Sequence, residues 1–560
     1  MTACISSDTL RRMLISAQIE EKANGSKLLI KNAELKLQES EKVGLIGRNG
    51  TGKTTLLRIM DGADSDYIGM VERRPKLVMI TTDQEQAARP GVSVLDYVLD
   101  GLREYRTLTQ IIEEYPDLMG EDLDKIAEYS DALERYAQYG YYHVVDQVRE
   151  SLRAYQLQDS QIDGAFMNLS GGQKRFAQLV QVEYSNADLL ILDEPTNHMD
   201  YVAKGVFVEW LKNTQSGVLV ISHDRDVLAA VDRIVELKDR QLHSYPGSYK
   251  DFLKQNATSN VSAMHQYEVT VKTLENRREA LKLAQIKKQR SKQSPNPFIP
   301  LVRRFEKEIA HLEESLVKPT IWIDQTSSAE LKTSQAAQYQ KYKTKNIRIK
   351  DKDLDVASHS QQLVLVDVLA LGYDAPLFKD VSFSVRTGER VQIVGRNGAG
   401  KTTFVDVLCA TATGKKFAST IFDGYIDCSP QLVIGRYKQE IDAAYLDITL
   451  GAAIAEIYRT SGQAVNHEAI TQTLIEYLFE HSDSEVPVRQ LSGGQKARVQ
   501  LIAMLAHRPN LLILDEPTNH LDLPSIEELE SALKKYTGAI LYISHDSYFA
   551  KAVGGQTIEL

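Results

Sequence analysis

Cysteine is scarce in this chain. Three in 560 residues, at Cys4, Cys409 and Cys428, are too few and too scattered for a disulfide framework or a zinc site. No window approaches the run of about 18 apolar residues that a membrane-crossing helix needs. The start, Met1-Thr2-Ala3-Cys4-Ile5, lacks the basic-then-apolar order of a secretion signal. The expectation is a soluble, cytoplasmic protein ending with its last domain at Leu560, and a transporter role would require a separate membrane partner. A strong positive charge is also missing. The net charge of −10 argues against a protein that coats nucleic acid along its whole length. Apolar residues are not scarce: they make up 43% of the chain, ample for globular cores. Since a single core rarely grows beyond about 250–300 residues, two or more domains are expected.

What the chain does have is a set of motifs that occurs twice in one order. Gly47-Arg48-Asn49-Gly50-Thr51-Gly52-Lys53-Thr54, followed by Thr55, recurs as Gly395-Arg396-Asn397-Gly398-Ala399-Gly400-Lys401-Thr402, followed by Thr403. Leu169-Ser170-Gly171-Gly172-Gln173 recurs as Leu491-Ser492-Gly493-Gly494-Gln495. Asp193-Glu194-Pro195-Thr196-Asn197-His198 recurs as Asp515-Glu516-Pro517-Thr518-Asn519-His520, and Ile221-Ser222-His223-Asp224 as Ile543-Ser544-His545-Asp546. From Ser170 to Asp193 and from Ser492 to Asp515 the spacing is 23 residues; from each glutamate to its histidine it is 29. A unit has been copied with its geometry intact. Lys53 to Ser170 spans 117 residues but Lys401 to Ser492 only 91, so the first copy holds 26 more. Residues 93–155, which read as mostly helical, contain this extra material, and a short arm is expected from it.

Val43–Ile46 reads as a buried strand feeding the first loop, with a helix opening at Thr54. Leu77–Ile80 is a further expected strand ending near Gln84, and Leu189–Leu192 and Val218–Ile221 have the apolar character of parallel-sheet strands. The first domain, residues 1–250, closes near the turn Tyr245-Pro246-Gly247-Ser248-Tyr249. From 251 to 355 the pattern is long, charged and helical. One helix should run to about Lys292. Pro295, Pro297 and Pro300 break it, and a second helix from about Leu301 to Val317 presents Phe305, Ile309, Leu312 and Leu316 on one face. A further helical stretch is expected over 328–345, and the second domain fills 356–560.

Each residue pattern points to a chemistry. A Gly-x-x-x-x-Gly-Lys-Thr loop between strand and helix turns backbone N–H groups toward phosphates, and the helix N-terminus adds positive potential. Lys53 and Lys401 would reach the β- and γ-phosphates of ATP, and the hydroxyls of Thr54 and Thr402 would hold Mg²⁺. Asp193 and Asp515, ending apolar strands, are the Mg²⁺-linked carboxylates, and Glu194 and Glu516 the candidates to orient the attacking water. An acidic pair can also merely cap a strand; the matched flanks favour catalysis. His223 and His545 are assigned to the γ-phosphate by their fixed distance. Gln84, with Gln86 as a competitor, and Gln439 are further candidate Mg²⁺ and nucleotide ligands. Tyr373, 22 residues before Gly395, either stacks on adenine or belongs to the core; the same count back from Gly47 gives Gly25.

Leu-Ser-Gly-Gly-Gln before a helix resembles the signature of ABC-type ATPases. Two such domains in tandem, the Asp-Glu-Pro-Thr-Asn-His segments and a basic helical linker resemble the ABC-F family over nearly the whole chain. The resemblance implies an α/β fold: two P-loop nucleotide-binding domains joined by a long α-helical hairpin. It also implies an intramolecular head-to-tail pairing. The first site would then use Lys53, Thr54, Gln84, Asp193, Glu194 and His223 with Ser492 and Gly494. The second would use Lys401, Thr402, Gln439, Asp515, Glu516 and His545 with Ser170 and Gly172. Family members bind ribosomes near the tRNA exit site, the linker reaching toward peptidyl-tRNA, and some protect ribosomes from antibiotics. Three departures stand out: Met199 where the second copy has Leu521, no adenine-stacking aromatic in the first half, and a linker lengthened by 322–345.

The linker carries the charge suited to such a partner. Residues 261–350 contain 18 Lys/Arg against 9 Asp/Glu in a chain that is acidic overall. Lys287, Lys288, Arg290, Lys292, Arg303 and Arg304 flank the tip, where rRNA or tRNA phosphates could meet them; a charge run can also be only a solvated face. Phe298 either stacks on a base or packs on the hairpin. Three classes remain open: a ribosome-associated ATPase (general factor or resistance factor), the energising subunit of an exporter, and a DNA-associated ATPase.

Overall fold

Two parallel β-sheets carry three of the four repeated motifs at their C-terminal edges, and the Leu-Ser-Gly-Gly-Gln segments open helices instead. A computed structural model describes residues 12–25, 27–82, 91–118, 120, 122–197, 199–290, 296–316, 361–437, 441–463, 465–477, 479–519 and 521–560. The chain divides into two compact units, Met1–Tyr249 with Asn346–Leu560, and Lys250–Lys345.

In the first half the elements run β1 (Met13–Asn24), β2 (Lys27–Gln38), β3 (Lys42–Ile46), α1 (Lys53–Asp61), β4 (Ile68–Arg73) and β5 (Met79–Thr82). Then come α2 (Val94–Asp100), α3 (Tyr105–Leu118), α4 (Leu123–Gln138), α5 (Val144–Ala154) and α6 (Gly171–Tyr184). β6 (Leu189–Asp193), α7 (Tyr201–Asn213), β7 (Gly217–Ile221), β8 (Arg233–Lys238) and β9 (Gln241–Pro246) complete it. The larger sheet has the order β5-β6-β7-β3-β8-β9, parallel except for β9. β6 and β7 are almost entirely buried apolar residues, as strands covered on both faces must be. A second, antiparallel sheet, β2-β1-β4, packs its inner face on the same core, where Leu14, Ile30 and Leu35 meet Leu45, Leu56 and Ile191.

α3 and α4 form a hairpin that supplies the extra length of the first half. Tyr115 Oη donates to Glu128 Oε2 at 2.9 Å across it, Arg135 pairs with Glu104, and Tyr105, Tyr136 and Tyr141 pack edge to face or stacked at its base. The expected strand over Leu77–Ile80 begins two residues later, at Met79, because Leu77 closes a turn onto the Arg74 carbonyl. Tyr245 and Pro246 are the end of edge strand β9, where a missing N–H costs little, and the chain turns at Gly247 instead.

The second unit contains α8 (Tyr249–Arg290, its first residue in the other unit) and α9 (Ile299–Ser315). The two helices are clasped by Arg277–Glu308 at 3.1 Å and Arg278–Glu313 at 2.6 Å, with Arg277 over the Phe305 ring. Val302 and Ile309 are buried between exposed charges on α9, giving the one-sided apolar face the spacing implies. α9 starts earlier than the three prolines suggest: Pro300 sits in its first turn, where no N–H partner is needed. Lys292, Pro295 and the stretch 328–345 lie outside the described residues.

The second half repeats the first: β10 (Gln362–Gly372), β11 (Pro376–Arg386), β12 (Arg390–Val394), α10 (Lys401–Thr413), β13 (Thr420–Cys428) and β14 (Ile434–Tyr437). They are followed by α11 (Leu450–Thr460), α12 (His467–Glu476), α13 (Gly493–Leu505), β15 (Leu511–Asp515), α14 (Leu523–Lys535), β16 (Ala539–Ile543), α15 (Ser547–Val553) and β17 (Gln556–Glu559). The parallel sheet runs β14-β15-β16-β12-β17 and the antiparallel one β11-β10-β13. In register, Asp193 lies beside Ile221 and Asp515 beside Ile543. Each Asp-Glu pair therefore emerges next to its Ser-His segment, at the strand ends where open α/β sheets place ligands.

Candidate active site

The phosphate loops are shaped by glycine at their last bend. Gly52 (φ 107°) and Gly400 (φ 96°) cap α1 and α10 in left-handed backbone, and a Cβ there would press on Leu29 at 3.3 Å or on Leu377 and Phe378 at 3.2 Å. Gly52→Ala should therefore cost about 1–2 kcal/mol from backbone alone; a urea unfolding midpoint unchanged within error would show that the loop can relax. Gly50 and Gly398 face open space, and neither cap supplies a side-chain acceptor to the first-turn N–H groups. A concave set of uncapped donors with room beside it fits a phosphate chain.

Lys53 and Lys401 are buried, each curled onto its own loop. Lys53 Nζ donates to the carbonyls of Gly47 (2.7 Å) and Arg48 (3.2 Å), and Lys401 Nζ to those of Gly395 (2.8 Å) and Arg396 (2.9 Å). Burial lowers both ammonium groups below their usual range, against the opposing pull of Glu194 and Glu516 respectively. A desolvated cation whose hydrogen bonds go to neutral carbonyls suits an incoming polyanion. Thr54 Oγ1 donates to Asp193 Oδ2 at 3.0 Å, and Thr402 hydrogen-bonds Asp515. Hydroxyl and carboxylate oxygens brought together in this way form a donor set that fits Mg²⁺. Gln84 and Gln439, like His198 and His520, lie outside the described residues.

Glu194 and Glu516 occupy left-handed backbone (φ 46° and 45°), held by N–H bonds to Ile221 O (2.9 Å) and Ile543 O (3.0 Å). Strain of that kind in a non-glycine residue persists only where the surroundings impose it. Oε1 of each glutamate is buried without a hydrogen-bond partner. His223 Nε2 lies 3.5 Å from Glu194 Oε1, and His545 Nε2 3.2 Å from Glu516 Oε1. Burial pushes Glu194 up to about 8 and Glu516 up to about 7, the latter opposed by Lys401 and by Lys204 of the other half. Burial pushes His223 down to about 3 and His545 down to about 4. A buried, orphaned carboxyl oxygen beside an imidazole suits a water or a phosphate oxygen.

Ser170 and Ser492 cap the signature helices α6 and α13, in each case with the glutamine three residues on closing a capping box. A Cβ on Gly493 would lie 3.0 Å from Asn49 Nδ2, whereas Gly171 and Gly172 face open space. The second signature thus abuts the first phosphate loop. Tyr373 is half exposed, its N–H bonded to Ala375 O at 3.3 Å, and it does not line the cavity described next.

That cavity, of about 580 Å³, draws its walls from both halves: Lys53, Thr54, Asp193, Glu194 and His223 from one, Glu516 and His545 from the other. Asn24, Lys27 and Leu29 form its edge in the first half, with Lys27 Nζ 3.3 Å from Gly50 O.

Several residues that join the halves escaped the sequence reading. The Asn49 N–H donates to Asp522 Oδ2 at 3.2 Å and the Asn397 N–H to Asp200 Oδ2 at 3.0 Å, a reciprocal pair. Both aspartates also cap a helix, α7 or α14. Burial acts to raise Asp200, but the N–H groups of Ala203 and Asn397 and the Gln156 amide hold it below the usual carboxylate range. The available signal was that each aspartate follows its Asp-Glu aspartate by seven residues. Arg225, almost fully buried, donates to Glu530 Oε1 at 2.7 Å, lies 3.9 Å from Asp546 and sits over the Tyr548 ring. In the second unit Lys287, Lys288, Arg290, Arg303 and Arg304 are exposed and Phe298 is partly buried.

Among known proteins, a family model described as ABC transporter matches residues 30–197 and 378–519. The probable ATP-binding protein YbiT of Escherichia coli O157:H7 is 28% identical over 98% of this chain and 96% of its own length. The putative ATP-binding protein YdiF of Bacillus subtilis is 27% identical, covering 98% of this chain and 80% of that protein. A solved complex of archaeal ribosomal stalk protein aP1 with the ribosome recycling factor aABCE1 superposes with a TM-score of 0.55 at 16% identity, over 97% of this chain and 87% of that one. At that identity the likeness concerns the fold.

Proposed function

This chain belongs to the ABC transporter family, carrying its ATP-binding domain twice in the ABC-F manner, and from that premise we propose that it is a ribosome-associated ATPase that modulates translation. Its domains would be residues 1–250 and 356–560, with 251–355 as the linker that meets rRNA and tRNA. It would act as a cytoplasmic monomer whose halves close on each other over ATP. The observation that carries the ATPase reading is the convergence of both Glu-His pairs on one cavity with walls from both halves. The ribosome reading rests on the exposed basic residues flanking the linker tip, in a chain with no helix among its described residues long and apolar enough to cross a membrane. The tandem neighbour of similar fold is itself a ribosome recycling factor.

The reaction would be ATP and water to ADP and phosphate. Lys53 and Lys401, with the loop N–H groups, would bind the β- and γ-phosphates, and the opposite signatures, Ser492 to Gln495 and Ser170 to Gln173, would close over them. Tyr373 would stack on the adenine of the second site. Glu194 and Glu516 would accept a hydrogen bond from the attacking water and aim its oxygen at the γ-phosphorus, while His223 and His545 hold a γ-oxygen. Mg²⁺, held by Thr54 and Asp193 or Thr402 and Asp515 with Gln84 or Gln439, would neutralise developing charge.

Ribosome co-sedimentation of a Glu194→Gln, Glu516→Gln double variant tests the reading. With ATP it should pellet with ribosomes, and without nucleotide it should not; the pelleting should weaken as salt rises. A variant that binds ATP yet stays in the supernatant would sink the ribosome assignment.

A further inference from the structure

The two halves correspond position by position, so a residue found on one side alone marks a difference between the sites. Asp200 and Asp522 cap α7 and α14 alike, and each accepts from the other half's phosphate loop. Four residues further, one side has Lys204 and the other Ile526. Both are buried, and both line the cavity.

Lys204 reaches across. Its Nζ donates to the backbone carbonyl of His545 and to Asp226 Oδ2 at 2.7 Å, and lies 3.3 Å from Asp224 Oδ2. Ser547 Oγ donates to the second oxygen of Asp226 at 2.6 Å. The turn between β16 and α15 is thus gripped by the first half at two points, one of them the carbonyl of His545. An ammonium has three donors. Two carboxylates compensate its buried charge, and the third direction is spent on that carbonyl. Ile526 has no polar atom to offer the matching carbonyl of His223. Two positions after each histidine the halves differ again, with Arg225 in the first where Ser547 stands in the second.

Resting on the reading of Glu516 and His545 as hydrolytic residues, we propose that Lys204 is a positioning residue acting across the domain boundary. It fixes the His545 peptide, and so the imidazole beside Glu516, in the second site, and the first site has no counterpart. The second site is therefore ordered by protein–protein contact before nucleotide arrives, and the two sites turn over unequally.

Amide hydrogen exchange on the full chain without nucleotide reads the contact apart from activity. Lys204→Met should raise exchange several-fold over 543–549, and Lys204→Arg should restore protection. Asp226→Asn, which keeps the side-chain volume, should loosen the same segment and covers the case in which Lys204→Met folds poorly. Unchanged exchange over 543–549 in folded Lys204→Met or Asp226→Asn overturns the proposal. For turnover, Lys204→Met is combined with Glu194→Gln, leaving the second site active, and separately with Glu516→Gln, leaving the first. About a tenfold fall in kcat with little change in KM is expected in the former, and less than about twofold in the latter. Equal losses in both backgrounds overturn the proposal. Absence of ATP hydrolysis in both backgrounds with Lys204 intact would overturn the ATPase reading instead, and the exchange result would still decide the role of Lys204.

Discussion

Glutamine at both Glu194 and Glu516 should lower ATP turnover about 100- to 10,000-fold while leaving ATP binding intact. The substitution keeps volume and removes only the carboxylate acceptor. The loss should be large because nothing nearby can take over. His223 and His545, at 3.5 and 3.2 Å, are made weak bases by burial, and the carboxylates of Asp193 and Asp515 are engaged by Thr54 and Thr402. Steady-state phosphate release decides the matter, with nucleotide binding followed separately by a fluorescent ATP analogue. Residual turnover within about tenfold of the wild type would remove both glutamates from the water-activating role.

Arg225→Met should destabilise the protein by about 3–5 kcal/mol. The guanidinium lies between Glu530 and Asp546, both buried, and its removal takes from both carboxylates the cation they share. Burial alone would lower the Arg225 pKa; the charges of Asp546 and Glu530 outweigh it and hold the group above its usual range. Urea unfolding followed by circular dichroism reads the loss. Adding Glu530→Met should recover much of it, because an apolar contact replaces a broken ion pair. A loss below about 1 kcal/mol would place the pair among solvent-screened surface bridges.

The strands and loops were legible because their signals are local. Leu189–Leu192 and Leu511–Leu514 are apolar runs of strand length ending in a carboxylate, and the glycines of each phosphate loop recur at fixed offsets. The same holds for the face of Phe305, Ile309 and Leu312. Apart from the second signature against the first phosphate loop, which the family resemblance implied, contacts between the halves were not legible. Arg225 and Glu530 are 305 positions apart, and Lys204 and His545 are 341 apart. Neither pair has a local pattern, since a lone Arg or Lys reads as a surface charge. Asp200 and Asp522 could have been noticed by register, but their flanks show only a helix cap, and the second carboxylate oxygen that reaches the other half leaves no mark. Element ends moved where a backbone group decided them: Pro300 entered a helix because the first turn tolerates it, and Leu77 stayed out of β5 because its N–H turned to Arg74. The antiparallel sheets β2-β1-β4 and β11-β10-β13 were passed over because their alternation is interrupted by register shifts.

The reciprocal aspartates have a kinetic corollary. Asp200 and Asp522 each grip a loop on the same polypeptide, so association of the two ATP-binding surfaces is a unimolecular event with an effective concentration set by the intervening chain. Its rate is first order and indifferent to dilution. In the proposed monomer, a cell holding few copies would close each of them as readily as a cell holding many, and expression level would set only how many such molecules there are, never the fraction that is paired.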